Sequence, residues 1–326
     1  WPVIATGKSG GVLMSEPTLS VVMPVHNGGD YLATAIRSIL GQTYTEFEFL
    51  IIDDGSSDGS LGVIEDFAKT DARIRLVSRE NRGLVASLNE GIELARGEYI
   101  ARMDADDIAL PERFEKQLSY LRANPGIDVL GGQVRVIDEA GRETGRTRKP
   151  SSASKLVNYL NFGCPIVHPT YMLKSKVYRT LRGYRDFVAV EDLDFLLRAA
   201  ETGFNLGNLA DVVLLYRQNS TGMSARNARR QARGARLVLA LHRARVFGLP
   251  EPERTIQDLM GRKTIAGTGW FEYWWRWREW ALGLRQQQGV RRALGILVVF
   301  VSSLMHYELM LASYRAWRAQ RLVGLE

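Results

Sequence analysis

The chain has 326 residues, 45% hydrophobic and 24% charged, which excludes a disordered polymer and allows one large domain or two smaller ones. Its single cysteine, Cys164, excludes an internal disulfide and fits a reducing compartment. The net charge of +7 divides unevenly: residues 1–224 hold 25 Lys and Arg against 29 Asp and Glu, a balance of −4, whereas residues 225–326 hold 18 against 7, a balance of +11.

Trp1 is not a natural initiator. The run MSEPT at 14–18 reads as the start, and residues 1–13 are expected to be disordered because they lack a signal peptide's apolar core. LSVVMPV at 19–25 is a short β-rich run that ends in the loop HNGGD. Asp30 is placed to cap a helix whose face is Tyr31, Leu32, Ala35, Ile36, Ile39 and Leu40. FEFLII at 47–52 is a second buried strand and leads into the turn-rich DDGSSD at 53–58, with a helix following to about Thr70. IRLV at 74–77 is a third strand. The loop ENRG at 80–83 then opens a helix to Arg96, with Gly97 as its stop. YIARMDADD at 99–107 is a strand running straight into three carboxylates.

Asp104 and Asp106 stand at i and i+2, so in an extended chain they point the same way. They would sit at the carboxyl end of a strand, where open α/β sheets bind ligands. Two close carboxylates repel each other, and Mg2+ or Mn2+ removes that cost, held by one or two carboxylates plus substrate phosphates. The alternative is an acidic loop or helix cap. Strand–helix alternation implies a parallel sheet with helices on both faces. Three of the four strands end in polar loops, which can converge on one ligand.

Downstream, 111–122 is a helix with Phe114, Leu118 and Leu121 on one face. VLGGQVRVI at 129–137 is a strand whose glycine pair marks a bulge or a close backbone approach. DEAG at 138–141 is a hairpin turn, and 142–154 a basic, mobile loop over the site. A helix at 155–160 leads to CPIVHPTYML at 164–173, a strand approached through two prolines. In VEDLDFLLR at 190–198, Glu191 and Asp192 open a helix with Leu193, Leu196, Leu197 and Ala200 on its apolar face. They are either dipole-favoured caps or a carboxylate aimed at the pocket as a general base. VVLLYR at 212–217 is the last strand. Cys164 reads as a small buried residue, and no nucleophilic Ser/His or Cys/His set is evident.

The runs LSVVMPVHNGGDYLATAIRSILGQTYTEFEFLIIDDGSSDGS and NRGLVASLNEGIELARGEYIARMDADDIALPERFEKQ are followed in order by CPIVHPTYML, VEDLDFLLRA and LLYRQNSTGMS. Together they resemble family 2 glycosyltransferases over about residues 17–224. The resemblance implies an α/β catalytic domain of GT-A fold over 14–224, a Rossmann-like, mostly parallel sheet with flanking helices, and a helical appendage at 225–326. It also implies inverting transfer of a hexose-type sugar from a nucleotide diphosphate sugar, UDP by default, to a glycan or lipid-linked acceptor. Position by position, His26 falls where the family's first loop packs on the nucleobase, and Asp54 matches the carboxylate that contacts the base. Pro24, Asn27, Arg82 and Ala105 join the same nucleotide-sugar site. Asp104 matches the position near ribose and diphosphate, Asp106 the metal-binding aspartate and Asp192 the catalytic base. Many members carry a Tyr-Arg-x-His pattern after the last strand, where this chain has Tyr216-Arg217-Gln218-Asn219. The resemblance thus leaves Asp106, phosphates and water to hold Mn2+ or Mg2+, with Asp104, His168 and Asn219 as further candidates. His168 has a structural reading as well.

Residues 225–247 form a basic helical stretch with Leu237, Val238 and Leu241 on one side. WFEYWWRWREW at 270–280 mixes aromatics with arginine, as at a membrane interface. The 13 apolar residues at 293–305 fall short of the roughly 20 needed to span. Without a nucleic-acid motif, the expected partner is an anionic membrane at the inner face of the cytoplasmic membrane. The alternative is packing on the catalytic domain or on a second copy as a homodimer. Two other function classes share parts of this pattern. A sugar nucleotidyltransferase would want a Gly-rich, Arg- or Lys-bearing phosphate loop after the first strand, which MPVHNGGDYL lacks. A non-catalytic nucleotide-sugar binder or assembly partner fits the missing His, but intact Asp106 and Asp192 argue against it.

Overall fold

The computed structural model describes residues 17–246 apart from Val188 and residues 219–222. The expectations for residues 1–13, Asn219, 270–280 and 293–305 lie outside the described residues. The chain divides into two compact units, 1–260 and 261–326.

The first unit opens with strands and helices in strict alternation: β1 (Leu19–Val25), α1 (Leu32–Leu40), β2 (Phe47–Asp54), α2 (Ser60–Thr70), β3 (Ile74–Arg79), α3 (Leu84–Leu94) and β4 (Tyr99–Arg102). The four strands lie in the order β3-β2-β1-β4, all parallel. Their composition explains why both faces are covered. Leu19, Val21, Met23 and Val25 of β1 enter one core with Ile36 and Ile39 of α1, while Val22 enters a second core with Leu88 of α3. Phe47, Phe49 and Ile51 of β2 likewise oppose Leu50. Strands apolar on both faces are the signature of a sheet sandwiched between helix layers. In α1, Leu32, Ala35, Ile36 and Ile39 are the buried residues, at the spacing of one helical stripe. Asp30 does not cap this helix through its side chain. It lies in a 3-10 turn, Gly29–Tyr31, that precedes α1.

The chain continues through β5 (Ile108–Ala109), α4 (Arg113–Ala123), β6 (Val129–Ile137), β7 (Glu143–Arg146), α5 (Ala153–Tyr159), β8 (Met172–Lys174), α6 (Ser175–Leu181), α7 (Glu191–Glu201), β9 (Leu206–Arg217) and α8 (Met223–Val246). These strands extend the sheet as β4-β8-β6-β9-β5, with β7 on the edge of β6. β8 runs antiparallel to both β4 and β6, β5 antiparallel to β9, and β6 parallel to β9. The α/β architecture is therefore as expected, parallel through β4 and mixed beyond it.

Three local expectations give way. The stretch 164–173 is mostly turns, with a 3-10 turn at His168–Thr170 and only the short β8 at its end. Pro165 and Pro169 remove the backbone donors a ladder would need. The last strand begins at Leu206, since its early part pairs with β6 across a register shift at Gly131–Gln133. Gly131 and Gly132 serve both expected roles, because added Cβ atoms would lie 2.0 Å from Ile166 and 2.5 Å from Val213. The basic loop 142–154 contains β7, which closes a hairpin with β6. Helix α8 packs into the core of α7 through Val238, Leu239 and Leu241, and its His242 and Arg245 pair with Glu201. Among the described residues no helix is long and apolar enough to cross a membrane.

Gly55 follows β2 with φ +71°, and an added Cβ would lie 2.8 Å from the Asn81 backbone nitrogen. Gly55→Ala is expected to destabilise the protein by about 1–3 kcal/mol. The readout is a lower urea midpoint at unchanged slope.

Candidate active site

The carboxyl ends of the four parallel strands share one edge, and on it lie most of the residues singled out from the sequence. His26 and Asn27 follow β1, Asp54 ends β2, Arg82 follows β3, and Asp104, Ala105 and Asp106 follow β4. Pro24 is buried within β1, opposite Ile52 of β2.

The first two loops are laced together. The His26 Nδ1 lies 3.0 Å from the Asp54 carbonyl oxygen and 3.0 Å from the Asn81 amide nitrogen. Asn27, at φ +53°, donates its backbone N–H to Ser56 Oγ at 3.0 Å and accepts from Ser57 N at 2.8 Å. Asp54 is 3% exposed. Its Oδ1 accepts from Arg82 N at 2.8 Å, its Oδ2 from Gly83 N at 2.9 Å, and the Arg79 guanidinium bonds it as well. Burial opposes its ionisation, but the Arg82 backbone bond and Arg79 outweigh that and hold the carboxyl below its ordinary range. Asp54 thus anchors the β3 loop, while the Arg82 side chain is exposed.

Asp104, Asp106 and Asp107 bring carboxylate oxygens within 4.8 Å of one another. Such crowding needs cations, and three arginines supply them. Arg102, 4% exposed at the end of β4, forks onto Asp104 at 2.6 and 2.5 Å. The fully buried Arg113 donates to the Arg102 carbonyl at 2.8 Å and to Gln117 Oε1 at 3.1 Å. Arg217 ends β9, donates its backbone N–H to Asp107 Oδ1 at 2.8 Å, and sends Nε to the Asp106 carbonyl at 2.9 Å. Its guanidinium stacks 4.2 Å from the Tyr31 ring centroid. The compensation is incomplete. Burial and then Asp104 push Asp106 up to about 6, and burial with both neighbours pushes Asp107 well above the carboxylate range. Asp107 Oδ2 is buried without a hydrogen-bond partner among the described residues.

The helix α7 brings a second acidic pair. Asp192, in its first turn, accepts from Leu193 N at 2.7 Å on Oδ1 and from the Cys164 thiol at 3.0 Å on Oδ2. Burial raises its proton affinity, and the thiol bond counters this. Glu191 is 6% exposed. Burial and Asp192 push it up to about 7, and its Oε2 has no partner among the described residues.

His168 is not brought to the aspartate cluster. It lies between Tyr171 and Tyr184, its Nε2 is 2.9 Å from the Tyr184 hydroxyl, and its Nδ1 is 3.8 Å from Glu191. Burial and Arg102 hold its pKa well below the ordinary value, so the ring is neutral. Its described neighbours are Tyr171, Tyr184 and Glu191.

Sequence reasoning missed Arg102, Arg113, Arg217 and the contact of Cys164 with Asp192. The arginines had a signal: Arg102 interrupts an apolar strand beside three acids, and a buried charge needs a partner. Cys164 had none, since 28 residues separate it from Asp192.

The profile of the family described as "Glycosyl transferase family 2" matches residues 20–182. The chain belongs to glycosyltransferase family 2. EpsE of Bacillus subtilis, which carries a provisional glycosyltransferase name, is 36% identical over 65% of this chain and 77% of its own length. The O-antigen biosynthesis glycosyltransferase WbnJ of Escherichia coli is 34% identical over 64% of this chain and 83% of its own. Membership makes the protein a glycosyltransferase enzyme. Its GT-A fold is shared with the mannosyltransferase PcManGT of Pyrobaculum calidifontis, solved with GDP-Man and Mn2+ (TM-score 0.57, 19% identity, 96% of this chain and 89% of that one). It is shared too with residues 1–349 of TarS from S. aureus, solved with UDP (TM-score 0.55, 17% identity, 74% and 68%). In this glycosyltransferase the Glu191–Asp192 pair lies beyond the span that the family profile matches.

Because Asp106 binds its proton more tightly in the fold than as an ordinary carboxylate, the native state holds the extra proton between about pH 4 and pH 6. Stability from this group therefore falls as pH rises through that window. Without added cations, Asp106→Asn is expected to match the wild type near pH 4 and exceed it near pH 7 by on the order of 2 kcal/mol. Urea titrations of both proteins across that range provide the check.

Proposed function

We propose that this enzyme transfers a sugar, with inversion, from a nucleotide diphosphate sugar to an acceptor hydroxyl, with a divalent cation in the aspartate cluster and Asp192 as general base. The observation that carries the reading is the unpartnered, buried Asp107 Oδ2 inside a cluster of three carboxylates, on the sheet edge that also holds the His26, Asn27 and Arg82 loops. That PcManGT was solved with GDP-Man and Mn2+ and TarS with UDP supports a nucleotide-bound donor.

The donor set fits Mg2+ or Mn2+: hard carboxylate oxygens whose mutual repulsion a dication relieves. Asp106 and Asp107 would hold it, because both oxygens of Asp104 are taken by Arg102. When bound, the cation would supply charge stabilisation to the departing diphosphate. The protein's own groups do the rest. His26, Asn27 and Arg82 line the nucleotide end, with UDP as the default, while Asp54 fixes the loops that carry them. Asp104 and Ala105 border the sugar–diphosphate. Asp192 accepts the proton of the attacking hydroxyl, and burial strengthens it as a base. Attack on the face opposite the leaving group inverts the anomeric carbon and needs no covalent enzyme intermediate.

For the acceptor we favour a glycan or lipid-linked sugar of a cell-surface polymer, in keeping with the name of WbnJ. The balance of +11 in residues 225–326 suits peripheral contact with an anionic membrane.

Binding of UDP-, GDP- and dTDP-sugars with Mn2+, with Mg2+ and with EDTA tests the reading. One donor should bind only with metal, and Asp106→Ala should lose that binding. Asp192→Asn should keep donor binding and lower kcat by roughly 10²–10⁴-fold. Failure to bind any nucleotide sugar under any metal would overturn the proposal.

A further inference from the structure

Cys164 lies in the turns ahead of β8 and Asp192 opens α7, yet the Cys164 Sγ is 3.0 Å from Asp192 Oδ2. Both side chains are partly exposed. Around them are two fully or nearly buried polar groups without partners among the described residues, the Tyr171 hydroxyl and Glu191 Oε2. The turn that carries the cysteine is held in place, since Lys149 Nζ donates to the Cys164 carbonyl at 2.8 Å and sits 4.8 Å from the Tyr159 ring centroid. The charged and titratable groups around Asp192 are Cys164, Glu191, Arg102 and Tyr171.

A carboxylate that serves as a base has two conflicting needs. It must be held in one orientation, and it must keep its affinity for a proton. A guanidinium meets the first need and defeats the second, because charge-assisted bonds are strong and favour the ionised form. Arg102 grips Asp104 through two such bonds. A thiol is a weak, uncharged donor, so it orients the carboxylate at less cost to basicity than a guanidinium would. It occupies one lone pair of Oδ2, and Leu193 N occupies one of Oδ1.

We propose that Cys164 is the positioning residue of the general base, a thiol donor that fixes the Asp192 carboxylate while leaving it free to take a proton. The inference rests on the reading of Asp192 as that base. Burial and the adjacent carboxylate push the thiol's own pKa well above its ordinary value. The thiol therefore stays protonated, and a donor, at neutral pH.

Two measurements on the full chain test this. In Cys164→Ala, kcat at saturating donor should fall roughly 10- to 100-fold, the cost of a misplaced base. The acid limb of its pH profile should also move to higher pH, because a carboxylate that loses a donor holds its proton more tightly. The donor KM should stay within about twofold, and Cys164→Ser, which keeps a donor, should restore kcat. A wild-type kcat and acid limb in Cys164→Ala would overturn the proposal, and so would a loss that serine does not rescue in a folded protein. The second measurement needs no substrate. Removing the negative charge in Asp192→Asn should speed alkylation of Cys164 by iodoacetamide at pH 8 by about tenfold, one pKa unit. An unchanged alkylation rate would overturn the contact itself. If alkylation accelerates but Asp192→Asn keeps its turnover, the base assignment fails while the thiol–carboxylate bond stands.

Discussion

The fork of Arg102 onto Asp104 is the contact from which the site follows. Five carboxylates, Asp104, Asp106, Asp107, Glu191 and Asp192, gather where β4 ends and α7 begins, and four of them bind protons more tightly than usual. Arg102 is the cation common to them, bonded to Asp104 and favouring the ionised forms of Asp106, Asp107, Glu191 and Asp192. Its guanidinium is buried, and a buried charge persists only where it is paired. The pairing is mutual. Without the arginine the acids could not share the pocket, and without the acids it could not lie in the sheet. Arg113 fixes Arg102 from below through its carbonyl oxygen.

The parallel half of the fold was legible because its strands are apolar on both faces and its helices carry single stripes. Those patterns are local, and each run such as FEFLII could be recognised alone. The aspartates stood out by composition, but not by their extended spacing, because β4 ends at Arg102 and residues 105–106 form a turn. What escaped was set by distant chain. The turns at 164–173 look like a strand in composition, but their prolines sit where donors are needed. The start of β9 was hidden because its exposed Ala210 and Asp211 interrupt the apolar run.

The candidate site divides along the same line. One half rests on consecutive strand–loop units, where Asp54 holds the β3 loop by two backbone N–H groups. The motifs of this half stand next to their strands in the sequence. The other half rests on contacts between the DADD loop, the turn of Cys164, α7 and Arg217, each from a different part of the chain. No local pattern connects a cysteine in a turn to an aspartate at a helix start, so the aspartates could be picked out in the sequence while the partners that hold them could not.

The tether between Asp107 and Arg217 joins residues 110 positions apart, and the two-residue strand β5 pairs only with β9 beside it. Contacts this distant form late in folding and slow it. During synthesis, at about 5–20 residues per second, β1 to β4 can assemble while the acid loop still waits many seconds for its counterpart. A nascent chain stopped before Arg217 holds the loops that follow β1 to β3 but lacks the cation that closes the acid loop. The parallel framework therefore precedes the acid cluster, which is complete only when the last strand is made.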